Sequence, residues 1–321
     1  MLRAIENLLT FNNPPDFGGD VQEGISPRRR MFLQPFPREA TMIIDAHLHL
    51  GHLDRSEEET IAHLDGLGVA QAVLLPLEDP QRESWFPTAE VLAARDRYPE
   101  RVLPFCHVDV TQDDALARIE NYAEQGCLGF GEQKQHLPLT DPHIERVLGL
   151  LNELGWPATF HFQEGKNGFN QGLEYLETLL RKFPRVKFIG HAQSWWANIS
   201  AEVPPPQVTL YPTGPVAPGG LADRLLSDYE NMYADLSAGS GYGAISRDED
   251  FSRGFLQRHR KKLLFATDCP CRDGRGAGYE PGCFGQKLLP LLRRLMEEED
   301  ALQDILYRNA RRVLGLDQLE S

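Results

Sequence analysis

One short segment constrains the fold of this chain more than any other: Asp45-Ala46-His47-Leu48-His49 lies within the apolar run 42–50. Such a run is typical of a buried β-strand, and side chains two residues apart on a strand point to the same face. His47 and His49 therefore face the same way, into the fold. Two buried imidazoles are costly without partners, whereas a divalent cation gives both nitrogens a ligand role. The segment predicts a strand that carries part of a metal site.

The rest of the chain alternates apolar runs with helical patterns, which is typical of repeated βα units. Eight candidate strands occur, at residues 42–50, 72–77, 102–109, 128–134, 158–162, 186–191, 232–236 and 263–268. Ser56 opens one helical segment with capping-box spacing, and the segments 113–125 and 141–154 begin with Asp and end near Gly. Eight such units, which need about 250 residues, predict an α/β fold, the (β/α)8 TIM barrel. An open doubly wound sheet is the alternative, but no Gly-rich phosphate loop follows the first strand.

Residues 1–41 are rich in Pro, Gly and charge and contain no strand pattern. We therefore divide the chain into an N-terminal arm, 1–41, and a barrel, 42–321, that ends in a C-terminal helix. The apolar cluster Met31-Phe32-Leu33 indicates that the arm packs on the outside of the barrel or on the neighbouring subunit of a homodimer. Arg29-Arg30 resembles the start of a twin-arginine export signal, but the apolar stretch that such a signal needs does not follow.

Composition and charge exclude several classes of partner. The formal net charge is −14 and no long basic run occurs, so nucleic acid is not an expected partner. No apolar run approaches the ~18 residues of a membrane span. Five cysteines in a chain too long to need disulfides indicate reduced thiols and a cytoplasmic protein. A small-molecule substrate remains as the expected partner.

Polar residues also end three other predicted strands: His161 the fifth, His191 the sixth and Asp268 the eighth. The carboxyl ends of barrel strands form the mouth, where barrel enzymes keep their active sites. Three His and a carboxylate suit zinc, or another first-row metal such as manganese, with one position left open for water. Asp235, which ends the seventh strand, is placed to orient one of these imidazoles.

With these residues the chain resembles the amidohydrolase superfamily, specifically the amidohydrolase-related branch of metal-dependent hydrolases, lactonases and non-oxidative decarboxylases. The resemblance spans about residues 42–316 and includes the segment 305–316, which is similar to the helix that commonly ends these barrels. The ligands of one metal that the resemblance implies are His47, His49, His161 and Asp268. It also implies that His191 is a catalytic acid/base or, with two metals, a ligand of the second ion.

The fourth strand leaves the number of metals open. Glu132 and Lys134 lie two residues apart and therefore on one face. In some relatives a carboxylated Lys of this strand bridges two metals, and in others a Glu does so. Because both are present here, we favour one tightly bound ion, with Glu132 or Lys134 contacting substrate or a weaker second site. An ion pair between them inside the barrel is the alternative.

Two long connections, 193–219 and 269–283, are predicted to be lids, since both follow strands and lie at the mouth. The substrate-binding candidates in or near the mouth are Trp195, Trp196, His52 and Arg272. The tryptophans are expected to cover a flat substrate, with lid packing as the alternative, and the arginine to meet an anionic group. His52 directly follows the first strand and is expected to reach the pocket.

The cysteines and one further histidine receive weaker assignments. Cys269 and Cys271 directly follow Asp268 and are candidates for extra soft ligands, although zinc ligand pairs are commonly spaced by about two to four residues. Cys283 is interpreted as an isolated thiol. His63 lies in a helical segment and is expected at the surface.

Two reactions suit the predicted site. In a hydrolase of a small lactone, amide or ester, the metal lowers the pKa of a bound water toward ~7, Asp268 takes its proton, and His191 stabilises the oxyanion or protonates the leaving group. The alternative is a non-oxidative decarboxylase of an aromatic or unsaturated acid. A barrel that binds metal or ligand without turnover is disfavoured because every predicted ligand position is intact. Hydrolysis is the favoured prediction.

Overall fold

The computed structural model describes residues 42–78 and 86–318. The predicted N-terminal arm therefore lies outside the described residues. No helix within the described ranges is long and apolar enough to cross a membrane.

Eight parallel strands organise the fold. The strands are β1 (Ile44–Leu48), β2 (Gln71–Leu74), β3 (Val102–Pro104), β4 (Phe130–Gln133), β5 (Pro157–His161), β6 (Lys187–His191), β7 (Met232–Asp235) and β8 (Leu263–Leu264). They pair in sequence order, as one sheet β1-β2-β3 and a second sheet β4-β5-β6-β7-β8, and every pair is parallel. Each strand overlaps one predicted apolar run, so the prediction of eight strands is confirmed.

Backbone contacts join the two sheets at both edges. Beyond β8, Asp268 N donates to His47 O over 2.8 Å, and beyond β3, Cys106 pairs in parallel with Phe130. The strand order is sequential, whereas a doubly wound sheet reverses its order after the first strand. The fold is therefore the predicted (β/α)8 barrel.

Helices cover the strands. They are α1 (Glu57–Leu67), α2 (Thr88–Arg97), α3 (Ala115–Glu124), α4 (Pro142–Leu154), α5 (Leu176–Lys182), α6 (Gln193–Ala197), α7 (Leu221–Asp228), α8 (Ala238–Ser246), α9 (Glu249–His259), α10 (Phe284–Leu295), α11 (Glu299–Gln303) and α12 (Asn309–Leu314). A π-helical turn, Asp304–Arg308, joins α11 to α12, and short 3-10 turns lie at His52–Asp54, Leu173–Tyr175 and Leu316–Gln318. Helix α1 begins at the predicted capping box, in which Ser56 and Glu59 bond each other's backbone N–H groups.

The last helical segment closes one part of the core. Tyr307 and Val313 pack in one apolar cluster with Ile44 of β1 and Leu264 of β8. The rest of the apolar core lies between the strands and the surrounding helices. The segment that was predicted to be a terminal barrel helix therefore packs against the strands, and the carboxyl ends of the strands carry the polar cluster described next.

Candidate metal centre

The imidazoles of His47, in β1, and His49, directly after β1, face each other, with their Nε2 atoms only 3.1 Å apart. His49 Nδ1 lies 2.7 Å from Leu75 O. Since a carbonyl can only accept, this Nδ1 carries the proton and Nε2 of a neutral ring keeps its lone pair. His47 Nδ1 lies 2.9 Å from Asp235 Oδ2. Both rings are thus held through Nδ1 with Nε2 available, which is how proteins hold metal-binding histidines.

Asp268 supplies an oxygen beside this pair. Its Oδ1 lies 3.6 Å from His49 Nε2 and 3.9 Å from His47 Nε2. This oxygen is buried and has no hydrogen-bond partner among the described residues. A buried, unpartnered carboxylate oxygen facing two imidazole nitrogens suits a divalent cation, because nitrogen and oxygen donors of this kind bind first-row metals. Three of the four predicted ligands therefore converge.

Glu132 occupies the middle of the cluster and is fully buried. Its Oε1 lies 2.5 Å from His161 Nδ1, and its Oε2 lies 3.3 Å from His49 Nε2. Lys134 Nζ is 3.5 Å from Oε2, so the two residues form an ion pair. Burial raises the pKa of Glu132, but Lys134 and His161 outweigh it and hold the pKa well below its ordinary value. The side chain is an ionised carboxylate beside the imidazole pair.

His161 joins the cluster beside Glu132, and with Glu132 and His191 it forms a group that could hold a metal ion. Within the described part of the chain it pairs with Glu132 and, at 3.4 Å, with Gln163, but forms no ion pair with Asp268. Burial, and then the charge of Lys134, lowers the pKa of His161 to about 3. The ring is therefore neutral, which is the form that binds metals, and it reaches the centre through Glu132.

His191 stands beside the cluster on β6. Its Nδ1 lies 3.0 Å from Asp235 Oδ1 and 2.9 Å from Ser237 Oγ. Its Nε2 faces inward, 3.5 Å from Glu132 Oε1 and 3.9 Å from Asp268 Oδ2. A single carboxylate, Asp235, thus orients His191 and also His47. The inward Nε2 is placed to exchange a proton with a group bound at the centre.

The protonation states follow from burial and from charge. Burial lowers the pKa of His47, but Asp268 and Asp235 outweigh it and raise the pKa to about 9. Burial raises the pKa of Asp235, but His191 and His47 outweigh it and hold this pKa well below its ordinary value. The pKa of Asp268 is likewise lowered, because His47 and His49 outweigh its burial. The cluster therefore presents ionised carboxylates that attract positive charge, and a divalent cation would replace the proton on His47.

His52 lies at the open side of the cluster. Its side chain is 32% exposed, and its Nδ1 is 3.9 Å from Asp268 Oδ1. Burial lowers the pKa of His52 to about 4, so the ring is neutral at pH 7. The structure thus brings this predicted substrate contact to the edge of the site.

Both tryptophans are buried, although Trp196 also lines the cleft that is described below, and their contact with a substrate stays a prediction. A Cβ placed on Gly190 would lie 2.5 Å from the Trp195 ring. Gly190 precedes His191 on β6, so the Trp195 ring fills the face of the strand opposite to His191 and the other imidazoles of the site. Trp196 donates to Asp235 O and packs against Phe255 of α9. Both rings are fully buried core residues, as the packing alternative states.

The structure pairs Arg272 with a carboxylate of α1. Its guanidinium pairs with Glu59 of α1 at 3.6 Å and is 46% exposed. Within the described ranges it forms no ion pair with any residue of the cluster. An exposed ion pair of this kind does not exclude an anionic substrate, so the predicted contact of Arg272 stays a prediction.

Sequence reasoning missed a second cluster close by. His63, expected at the surface, is fully buried, and its Nδ1 lies 3.2 Å from Cys271 Sγ. Cys269 and Cys283 join these two residues. The structure therefore groups Cys269 and Cys271 with each other and with His63, not with the imidazoles of β1. The presence of three cysteines in the connection 269–283 could have indicated this cluster. The spacing of these cysteines gives no information about His63, which lies far away in the sequence, on α1.

The sequence also did not predict a cleft that contains the side chain of Arg247. It is lined by residues that follow β6 and β7, among them Gln193, Tyr211, Ser240 and Arg247. Arg247 Nε and Nη2 are buried and have no hydrogen-bond partner in the part of the chain that the structure describes. The same two strands carry His191 and Asp235, so the cleft lies on the side of the barrel where the polar cluster opens.

Comparison with known proteins defines the class. A family model described as amidohydrolase (Amidohydro_2) matches residues 44–316, and the chain belongs to this family. Its members and structural neighbours are enzymes, both hydrolases and decarboxylases. None of the curated proteins compared with the chain matches it.

Solved structures agree on the fold. An uncharacterized TIM-barrel protein from Bordetella bronchiseptica has a TM-score of 0.61 at 15% identity, over 88% of this chain and 100% of that one. A probable 2-pyrone-4,6-dicarboxylic acid hydrolase from Acinetobacter baumannii has a TM-score of 0.58 at 17% identity, over 85% and 99%. A 5-carboxyvanillate decarboxylase from Sphingomonas paucimobilis has a TM-score of 0.58 at 14% identity, over 85% and 99%. At such identities the likeness carries the fold alone.

Proposed function

We propose that this protein is a metal-dependent hydrolase of a small lactone, amide or ester. The observation that carries the proposal is the unpartnered Asp268 Oδ1, which faces the Nε2 atoms of His47 and His49 at 3.9 and 3.6 Å. Zinc, or else manganese, suits these nitrogen and oxygen donors, and one ion is favoured. Glu132 would complete the donor set from β4, since its Oε2 lies 3.3 Å from His49 Nε2.

The chain's own residues can perform the proton transfers of hydrolysis. A bound divalent cation supplies a Lewis acid and lowers the pKa of water. Asp268 is ionised and lies at the open side, so its carboxylate can accept a proton from the attacking water. His191, oriented by Asp235, presents Nε2 toward the same space and can protonate the leaving group. His52 lies at the edge, where it can contact the substrate.

Decarboxylation of an unsaturated or aromatic acid is the second candidate. The observation that favours it is Arg247, which lines the neighbouring cleft and whose buried Nε and Nη2 have no hydrogen-bond partner among the described residues. A guanidinium fork pairs with a carboxylate. Trp196 lines the same cleft, whereas Trp195 is fully buried and Arg272 is paired with Glu59, so Trp195 and Arg272 add no observation in favour of this reaction. Hydrolysis therefore remains the proposal.

The two reactions separate by the fate of solvent oxygen. The metal-loaded protein is incubated in oxygen-18 water with small lactones, amides and esters, and separately with aromatic and unsaturated carboxylic acids. Hydrolysis places the label in the product, whereas decarboxylation releases carbon dioxide and adds no solvent oxygen to the organic product. Turnover of the acids alone, with carbon dioxide released and no label incorporated, overturns hydrolysis. The Arg247→Gln variant supplies a control for charge: its KM should rise only for substrates that carry a carboxylate.

A further inference from the structure

We propose that the protein holds a second metal ion, a structural zinc bound by His63, Cys269, Cys271 and Cys283. This site is separate from the imidazole cluster and is independent of the proposed reaction. One ring nitrogen of the histidine and the three Sγ atoms all lie within 4.8 Å of one another, and Nδ1 is 3.2 Å from Cys271 Sγ. Tetrahedral zinc with bonds of about 2.0–2.3 Å holds its ligand atoms roughly 3.3–3.8 Å apart. The four donors therefore need to move little to bind the ion.

The donor set and the burial together indicate a structural role. Three thiolates and one imidazole form one of the common ligand sets of structural zinc. His63, Cys269 and Cys271 are 0% exposed, and Cys283 is 2% exposed. A catalytic zinc keeps one position open to solvent or substrate, and this site has four protein donors and no opening.

A buried arginine provides a second, independent observation. Arg55 is 2% exposed, and its guanidinium donates to the carbonyl oxygens of Cys269 (2.7 Å), Cys271 (3.1 Å) and His49 (2.7 Å). No carboxylate within the described ranges forms an ion pair with it. A buried cation needs nearby negative charge. Zinc with three thiolates carries about one net negative charge, which would compensate Arg55 at close range.

The surrounding backbone is built for close contact between the two segments that supply the donors. A Cβ on Gly66 of α1 would lie 1.9 Å from Asp273 O, and a Cβ on Gly274 would lie 2.4 Å from His63 O. The connection after β8 therefore lies directly on the end of α1, with no space for side chains between them. The ion would tie this connection to α1. It would also hold Asp268, the residue before Cys269, in position.

The test counts metal ions and identifies their ligands. Full-length protein is purified without chelators, and bound metal is measured by mass spectrometry of the dissolved ions. The test variant is Cys269→Ala/Cys283→Ala. The matched control is Cys106→Ala/Cys127→Ala, which removes two other fully buried thiols that contact each other. We expect about two ions per chain in the wild type and the control, and about one in the test variant. Equal metal content in the test and control variants overturns the proposal.

Cobalt substitution of the wild-type protein gives a readout that does not depend on the variants folding. Thiolate ligands give cobalt(II) a sulfur-to-metal charge-transfer band in the near ultraviolet, and nitrogen and oxygen ligands do not. We expect this band in the wild type and also in His47→Ala/His49→Ala, where only the imidazole cluster is damaged. Absence of the band in the wild type contradicts the site, and so does a disulfide among the three cysteines found by thiol counting in denaturant. Loss of the band in the His47→Ala/His49→Ala variant alone would assign the thiolates to the first metal and overturn a separate site.

Discussion

Two polar clusters lie next to each other after β8. The imidazole cluster is formed by the four histidines of the candidate metal centre with Glu132 and Asp268, and the thiol cluster by His63, Cys269, Cys271 and Cys283. They differ in the type of their donor atoms and in their exposure. The imidazole cluster offers nitrogen and oxygen donors, and its Asp268 side chain is 15% exposed. The thiol cluster offers mainly sulfur and is closed, with Cys269 fully buried. Donors that face an opening suit an ion that exchanges a ligand during turnover, whereas a closed set of four suits an ion that stays. The neighbouring residues Asp268 and Cys269 therefore belong to two sites, one suited to catalysis and the other to a structural ion.

Removing the imidazoles of His47 and His49 should damage the imidazole cluster and leave the thiol cluster intact. In His47→Ala/His49→Ala we expect kcat/KM to fall by about 1000-fold or more, since loss of the Lewis acid costs several kcal/mol. Metal analysis should show the loss of the first ion and retention of the thiol-bound one. Unchanged metal content in this variant would show that β1 carries no ligands.

His191 should separate proton transfer from metal binding. The His191→Asn variant is expected to lose activity by roughly 100-fold, the usual contribution of general acid–base catalysis. It should keep most of its metal, because the proposed donor atoms of His47, His49 and Asp268 are unchanged. Activity and metal content are measured on the same preparation. Parallel loss of both would make His191 a ligand of a second ion at the imidazole cluster.

The glycine contact under the thiol cluster should affect stability. Ala at position 66 places a methyl group 1.9 Å from Asp273 O, so we expect Gly66→Ala to lower the free energy of unfolding by about 1–3 kcal/mol. Gly149 of α4 is the matched control, because a Cβ there meets nothing within 4 Å. Its replacement by Ala should raise helix stability by up to about 1 kcal/mol. Urea denaturation of both variants measures the difference, and equal effects would disprove the tight packing of α1 on the connection.

The smallest effect is expected from the arm. Residues 1–41 contain no predicted strand of the barrel, so the truncated chain 42–321 should fold and load both metals. Circular dichroism and metal analysis test this expectation, and light scattering shows whether the arm contributes to a homodimer. A truncated protein that cannot fold or bind metal would place the arm in the core.

Sequence reasoning recovered the barrel because parallel strands buried on both faces are continuous apolar runs. It also predicted which polar side chains come together, since residues that end such strands converge at one mouth. His47, His49 and Asp268 meet there because their strand positions alone bring them together. No knowledge of the helices was needed.

What sequence reasoning could not supply depends on which side of an element a residue faces. Trp195 follows β6 closely, but Gly190 leaves a space on the outer face of the strand that the indole fills. His63 lies on the side of α1 that the connection after β8 covers, so its burial depends on a contact more than 200 positions away, with Cys271. Spacing along the chain carries no information about either contact.

The anchoring of the connection after β8 has a consequence for how this enzyme can diversify. Barrel enzymes usually acquire new specificities by exchanging the loops that follow their strands. Here that connection also carries three buried cysteines and accepts hydrogen bonds from Arg55, so a graft there would disturb the scaffold. The segment after β6 is anchored at its two ends, by the buried Ile199 and by Val216 N, which donates to Asp248 Oδ2, but its middle is open, with Tyr211 53% exposed. We expect engineered libraries directed at residues 201–215, which are exposed or half-buried, to yield folded variants with altered substrate range, and libraries directed at 269–283 to yield mostly insoluble protein.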